Sequence, residues 1–194
     1  PLRSIIRPFD SIWKINNYSN IEPFTDRYNT DFDSLANKVS KRVSIIQKRD
    51  KEFLQWRYAN HPTRKYQTFV LREDSVLKGY IITRETTIKE KTIGVIVDFM
   101  VDAEIKDQKK LKDLVNAALA NFWKNDVSLA IATCRTGLLE NKILHEAGFH
   151  TIPKFLKPES LHLIVLSSDS ANSSLTKLKE FNNWFFSFGD YDVF

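Results

Sequence analysis

The chain has little cysteine, glycine or proline and no long apolar run, and each scarcity removes a class of answer. Cys134 is the only cysteine among 194 residues, so no internal disulfide can form, and a reducing, cytoplasmic setting is expected. Five glycines and six prolines exclude a linker-rich or low-complexity chain. No stretch approaches the ~20 consecutive apolar residues of a membrane span, and no basic segment followed by an apolar one opens the sequence, so no membrane partner is expected. The four histidines, at positions 61, 145, 150 and 162, lack the spacing of paired metal ligands, and no metal is expected. The first residue is Pro1 rather than methionine, which reads as a processed or truncated chain with something upstream.

What is present is ordinary for one globular domain, with 42% hydrophobic and 27% charged residues. At this length roughly 70% of the unfolded surface is buried on folding, so a core can form without staples. The net charge of +5 and pI near 9.2 admit nucleic acid, anionic lipid or a phosphorylated small molecule. The basic residues are nevertheless scattered, no denser than Lys38, Lys41 and Arg42 or Lys106, Lys109 and Lys110. Such dispersal reads as solvated faces, so nucleic acid is not expected as a partner.

Residues 1–30 carry Pro8, Pro23 and isolated aromatics without sustained periodicity, and read as a lead-in segment. From residue 31 the apolar positions Phe32, Leu35, Ala36, Val39, Val43 and Ile46 form one helical stripe to about residue 47, with Asp31 or Thr30 as cap. A short second helix follows Asp50 and stops before Asn60, His61 and Pro62, because residues preceding proline avoid the helical region. The period then changes to two over residues 66–71, 78–84 and 92–101, an antiparallel meander. Residues 107–123 give the cleanest helical stripe, through Leu111, Leu114, Val115, Ala118, Leu119, Phe122 and Trp123. A strand at 127–133, a helix at 138–146 ended by Gly148, strands at 149–155 and 161–166, a short helix at 175–181 and a strand at 184–188 complete the order. The fold class is mixed α/β (α+β): a mostly antiparallel central sheet flanked by helices, carried by one domain over residues 31–194.

Two helices, a three-strand meander, a long helix, a strand, a helix ending in Glu146, Ala147, Gly148 and Phe149, and terminal strands resemble the GNAT acyltransferase superfamily. Residues 49–58 followed by His61 and Pro62, together with residues 184–192, resemble GNAT-like proteins found in polysaccharide-biosynthesis settings, some with two GNAT halves in tandem. The resemblance implies an acyl-CoA cofactor, most readily acetyl-CoA, and acyl transfer to a primary amine acceptor. In that family a glycine-rich loop after the fourth strand presents backbone N–H groups to the cofactor's pyrophosphate. Here that loop, residues 102–110, contains no glycine. Cofactor contacts would fall to Phe99, Met100 and Val101 on the strand and to Lys106, Gln108, Lys109 and Lys110, while Asp107 is equally placed to cap the helix.

Asp98 interrupts the apolar run Ile96, Val97, Phe99, Met100, and a carboxylate there costs several kcal/mol unless it is paired or open to a cleft. The resemblance makes it the candidate base; the alternative is an ion pair with Arg57 or Arg135. His145, beside Leu144 where the family often has a tyrosine, is the candidate acid for the departing thiolate, and Gly137 stands where family members often carry asparagine. Arg57, Tyr58 and Arg135 are candidates for holding the acceptor. Cys134 lacks a neighbouring base and reads as an inert buried thiol. Two functions stay open: an amine acyltransferase, or a non-catalytic GNAT-shaped half that recognises a ligand or packs on an upstream partner domain or a second copy.

Overall fold

The computed structural model describes residues 2–8, 18, 20–88, 90–152 and 174–191. Its strands are β1 (Leu2–Pro8), β2 (Ile21–Phe24), β3 (Gln67–Glu73), β4 (Val76–Ile88), β5 (Lys91–Val101), β6 (Leu129–Arg135) and β7 (His150–Thr151). They form one sheet in the order β2-β3-β4-β5-β6-β1-β7. β5 and β6 run parallel, and every other neighbouring pair is antiparallel. The helices are α1 (Thr30–Ser40), α2 (Lys51–Leu54), α3 (Lys109–Lys124), α4 (Leu139–Glu146) and α5 (Ser174–Lys179). This is the mixed, mostly antiparallel sheet with flanking helices that the sequence predicts. No helix among the described residues is long and apolar enough to cross a membrane.

Alternation along β4 assigns the helices to opposite faces. Tyr80 packs on Phe32 of α1 at 5.7 Å between ring centroids, whereas its neighbour Gly79 lies under Leu114 of α3. On that second face Gly94 sits beneath Phe122, where a Cβ would stand 2.7 Å from the ring, so the missing side chain lets α3 approach β5. The apolar stripe of α3 is buried as predicted, with Trp123 turned partly to solvent. Between β3 and β4, Asp74 and Ser75 take φ of 51° and 63°, both left-handed, and make the tight hairpin turn whose twist matches the strands. α1 is capped by Asn29, whose side chain accepts from the Asp31 N–H, rather than by Asp31 or Thr30; α2 is capped by Asp50, as its sequence suggests.

The structure departs from the sequence expectations in four places. Residues 1–30 contribute two strands to the sheet, β1 between β6 and β7 and β2 at the edge beside β3, so the sheet begins well before residue 31. α1 ends at Ser40 instead of residue 47: the following Val43, Ile45 and Ile46 are β-branched, and Ile45 makes a backbone bridge to Trp184. α2 continues into a wider π-helical turn, Gln55–Ala59, which carries Arg57 and Tyr58 inward. Residues 184–188 form no strand ladder; beyond the bridge at Trp184 they run extended into a 3-10 turn, Phe188–Asp190, with Phe185, Phe186 and Phe188 all buried. Of the strand expected at 149–155, His150–Thr151 is observed; residues 153–155 and the strand expected at 161–166 lie outside the described residues.

Candidate functional site

The parallel pair β5 and β6 holds register only from Ile93↔Leu129 to Ile96↔Ala132. At that point β5 carries an extra residue: Ile82 of β4 faces Asp98 and Thr83 faces Ile96, leaving Val97 as a bulge. A bulge bends its strand, so β5 turns away from β6 and a wedge opens between them. The wedge is not open space. Phe185, Phe186 and Ser187 from the C-terminal segment, with Leu144 of α4, fill it against Asp98, Phe99 and Cys134, and the remaining void is about 10 Å³, close to the room one water needs.

Asp98 is completely buried at the mouth of this wedge. Its partner is Arg49, whose Nε lies 2.9 and 3.1 Å from the two carboxylate oxygens; the sequence pointed instead to Arg57 or Arg135. Tyr58 and Tyr80 donate their hydroxyls to Asp98 Oδ2 at 3.2 and 3.4 Å, and Ser187 donates to Oδ1 at 3.2 Å. Burial, and then the Asp98 charge, push both phenols well above their ordinary pKa, which keeps them protonated donors. Arg49 itself is buried and shared: its Nη2 reaches Asp190 Oδ2 at 2.7 Å and Ser187 Oγ at 3.0 Å. One guanidinium thus joins β5, the approach to α2 and the C-terminal turn.

The other candidate substrate residues hold the same segment. Arg57 donates to the Tyr191 carbonyl, and Arg135 Nε donates to the Trp184 carbonyl at 2.7 Å. Backbone bonds from Ile45 N–H to Asn183 and from Phe185 N–H to Ile45, each 2.8 Å, add to the strap. His145 is exposed and its Nδ1–H donates to the Phe149 carbonyl at 2.8 Å; the helix register sets Leu144, not His145, against the wedge. Cys134 is buried, and burial followed by the Glu140 charge holds its thiol well above the ordinary range, the inert state expected of it.

Backbone groups on the wedge side of β5 are taken by the chain's own side chains. The Phe99 N–H donates to Asp98 at 3.0 Å, the Val101 N–H to Glu140 Oε1 at 3.4 Å, and Arg42 Nη2 donates to the Val101 carbonyl at 2.7 Å. Glu140 and Arg42 are the residues sequence reading missed, together with Arg49. Glu140 is buried, accepts from Arg42 at 2.9 Å, and leaves Oε2 without a hydrogen-bond partner. Burial raises its pKa above the ordinary 4.5 against the opposing pull of Arg42. A carboxyl raised in the folded state contributes its full stability below the unfolded value and loses it as pH rises through the folded one. Glu140→Gln should therefore gain on the wild type as pH climbs above 4.5, at no more than about 1.4 kcal/mol per pH step. Urea unfolding of both proteins between pH 4 and 8 checks this, and a pH-independent difference would remove Glu140 as the source.

The loop before α3 is equally self-satisfied. The Glu104 N–H donates to Asp102 at 2.9 Å, Lys106 N–H to Glu73 at 3.4 Å, Lys109 N–H to Asp107 at 3.0 Å, and Lys110 and Leu111 N–H to backbone carbonyls. The N-cap position of α3 is Gln108, which makes no side-chain cap bond, and Asp107, the cap the sequence offered, stands one residue before it and accepts from the Lys109 N–H. Lys106 is paired with Asp74 and Lys110 with Glu73, while Lys109 and Gln108 are exposed. Asp102 is held below its ordinary pKa: burial acts upward, but Lys38, the Glu104 N–H and Lys78 outweigh it. A pyrophosphate set here would face carboxylates at Asp102 and Asp107 and would have to displace these bonds. The residues present do not fit an acyl-CoA bound through this loop and wedge.

By sequence, neither a protein-family model nor a curated protein matches the chain. Solved structures do. A GCN5-related N-acetyltransferase from Anabaena variabilis superposes with TM-score 0.57 at 15% identity over 77% of this chain and 37% of its own. N-myristoyltransferase of Saccharomyces cerevisiae with bound myristoyl-CoA gives 0.55 at 14% identity, over 77% of this chain and 45% of its own. An aminoglycoside acetyltransferase from an uncultured soil metagenomic sample, in complex with sisomicin, gives 0.50 at 16% identity, over 76% and 95%. The chain thus spans less than half the length of the first two. At such identities the likeness is one of architecture: the chain has the GNAT fold.

Proposed function

We propose that this chain is a non-catalytic GNAT-fold half, which recognises a ligand or packs against a partner domain instead of transferring an acyl group from CoA. The filled wedge carries this reading. Residues 185–187 fill the space between β5 and β6 against Asp98 and Phe99, on the strand to which the resemblance assigns cofactor contacts, and Arg49, Arg57 and Arg135 secure the segment there. The segments that resemble tandem GNAT-like proteins, 49–62 and 184–192, are the two that Arg49 and Asp190 tie together. Their role in the fold is closure, which suits a half whose partner is another domain.

Calorimetric titration with acetyl-CoA tests the reading. The expected result is no saturable binding up to millimolar cofactor and no acetyl transfer to a panel of primary amines. Saturable binding with turnover would overturn it in favour of an amine acyltransferase. The retained bulge and wedge, and a neighbour that holds myristoyl-CoA, favour that second reading. It requires residues 184–191 to leave, after which Asp98 would be the base and Phe99 to Val101 the strand edge open to cofactor.

A further inference from the structure

A second concavity lies on the α1 face, away from the wedge. Its floor is Thr68, which pairs with Ile82, which in turn pairs with Asp98, so it sits two strands along the sheet, about 10 Å at usual strand spacing. The void is about 290 Å³, at the lower end of the range of small-ligand sites, and it is open to solvent. Four aromatic residues line it: Phe24 at the end of β2, Tyr28 before α1, Tyr58 in the π-helical turn after α2 and Tyr66 on the approach to β3. The rings are braced in pairs, Phe24 with Tyr28 at 5.4 Å and Tyr58 with Tyr66 at 5.1 Å.

The hydroxyls of the two buried tyrosines are committed elsewhere. Tyr28 shares a 2.7 Å hydrogen bond with Thr68, and Tyr58 donates to Asp98. A ligand there would meet the aromatic faces together with the polar residues Thr25, Asp26, Gln67 and Thr68, which also line the pocket. Among the described residues Asp26 is the one charged side chain of the lining, with Arg27, Arg64 and Lys65 close to lining residues along a chain of net charge +5. Behind the tyrosines, Asp98 and Asp190 share the single Arg49, a cluster with one carboxylate in excess. The Asp98 field reaches the pocket wall: after burial it is the largest cause raising the Tyr58 phenol, and it adds a smaller push to Tyr28, which burial chiefly raises to about 12. Aromatic faces with a carboxylate at the rim and negative charge behind form an environment that attracts cations and repels anions.

We propose that this aromatic pocket binds a compact organic cation, a methylated or quaternary ammonium group, over the Tyr66 and Phe24 rings with Asp26 at its rim. A quaternary ammonium cannot be acylated, so the site is one of recognition.

Calorimetric or NMR titration of the full chain with choline, with tetramethylammonium and with the neutral choline isostere 3,3-dimethylbutanol tests this. Both cations should saturate the site in the millimolar range or below, with the isostere weaker by about 10-fold. Tyr66→Ala, at a half-buried position, should abolish saturation, and Asp26→Asn, at an exposed one, should weaken it several-fold. Trp56→Ala, an exposed aromatic outside the lining, should leave it unchanged. Equal affinity for cation and isostere, or no saturation by either cation, overturns the proposal without reference to any variant. Undiminished binding by Asp26→Asn overturns the role of the rim carboxylate even if Tyr66→Ala fails to fold.

Discussion

Replacing Arg49 by methionine should lower the unfolding free energy by about 3–5 kcal/mol, because it strands two buried carboxylates, Asp98 and Asp190, without their shared cation. The guanidinium bridges β5, Ser187 and the C-terminal turn, so its loss should act first on that turn. Limited proteolysis should cut within residues 184–191 before the sheet opens, and the urea midpoint should fall. Removing the charges together separates the cost of stranding from the worth of the pair. A triple variant with Arg49→Met, Asp98→Asn and Asp190→Asn should recover part of the loss, since neutral amides tolerate burial better than unpaired carboxylates. An Arg49→Met protein within about 1 kcal/mol of the wild type would show that the cluster does not hold the fold.

That cluster also marks the limit of what sequence reading could reach. Asp98 was legible as an anomaly, a carboxylate in an apolar strand, and so was the need for a partner. The partner's identity was not, because the extended run between α1 and α2 that carries Arg49 inward looked like the end of a helix. Val43 and Ile46 continue the stripe of α1 in register, and nothing local reveals that Ile45 instead meets Trp184 across the fold. The meander and α3 were readable for the opposite reason: their faces alternate or repeat within the element, so period reports burial. The C-terminal residues defeat that logic. Trp184, Phe186 and Phe188 alternate as a strand would, yet Phe185 is buried as well, because a segment wedged between β5 and α4 has no solvent face to advertise. β1 escaped for want of locality, its register running against residues 129–135 far along the chain. The loop at 102–110 was legible in part: a missing glycine and an aspartate able to take a helix-start N–H are local facts, although the N-cap itself falls on Gln108.

Gly189→Ala should cost about 1–3 kcal/mol, and the cost should depend on a single atom of another residue. A Cβ at position 189 would overlap the Tyr58 hydroxyl, which is pinned from its other side by Asp98 at 3.2 Å. Neither side can yield cheaply: Tyr58 is buried against Phe53 and Tyr66, and Gly189 lies in the turn that Ser187 and Asp190 cap. Tyr58→Phe alone should cost about 1.5–3 kcal/mol, the range for a hydrogen bond to a charged group. It also removes the atom that the new methyl meets. The double variant should therefore be more stable than the sum of the two losses predicts, with a coupling of about 0.5–3 kcal/mol by urea unfolding. Strict additivity would mean that the turn carrying Gly189 does not press on Tyr58. A positive coupling would tie the C-terminal closure of the wedge to the tyrosine that walls the cation pocket. The same pair then offers a direct control: if closure positions that wall, Gly189→Ala should weaken choline binding although residue 189 does not line the pocket.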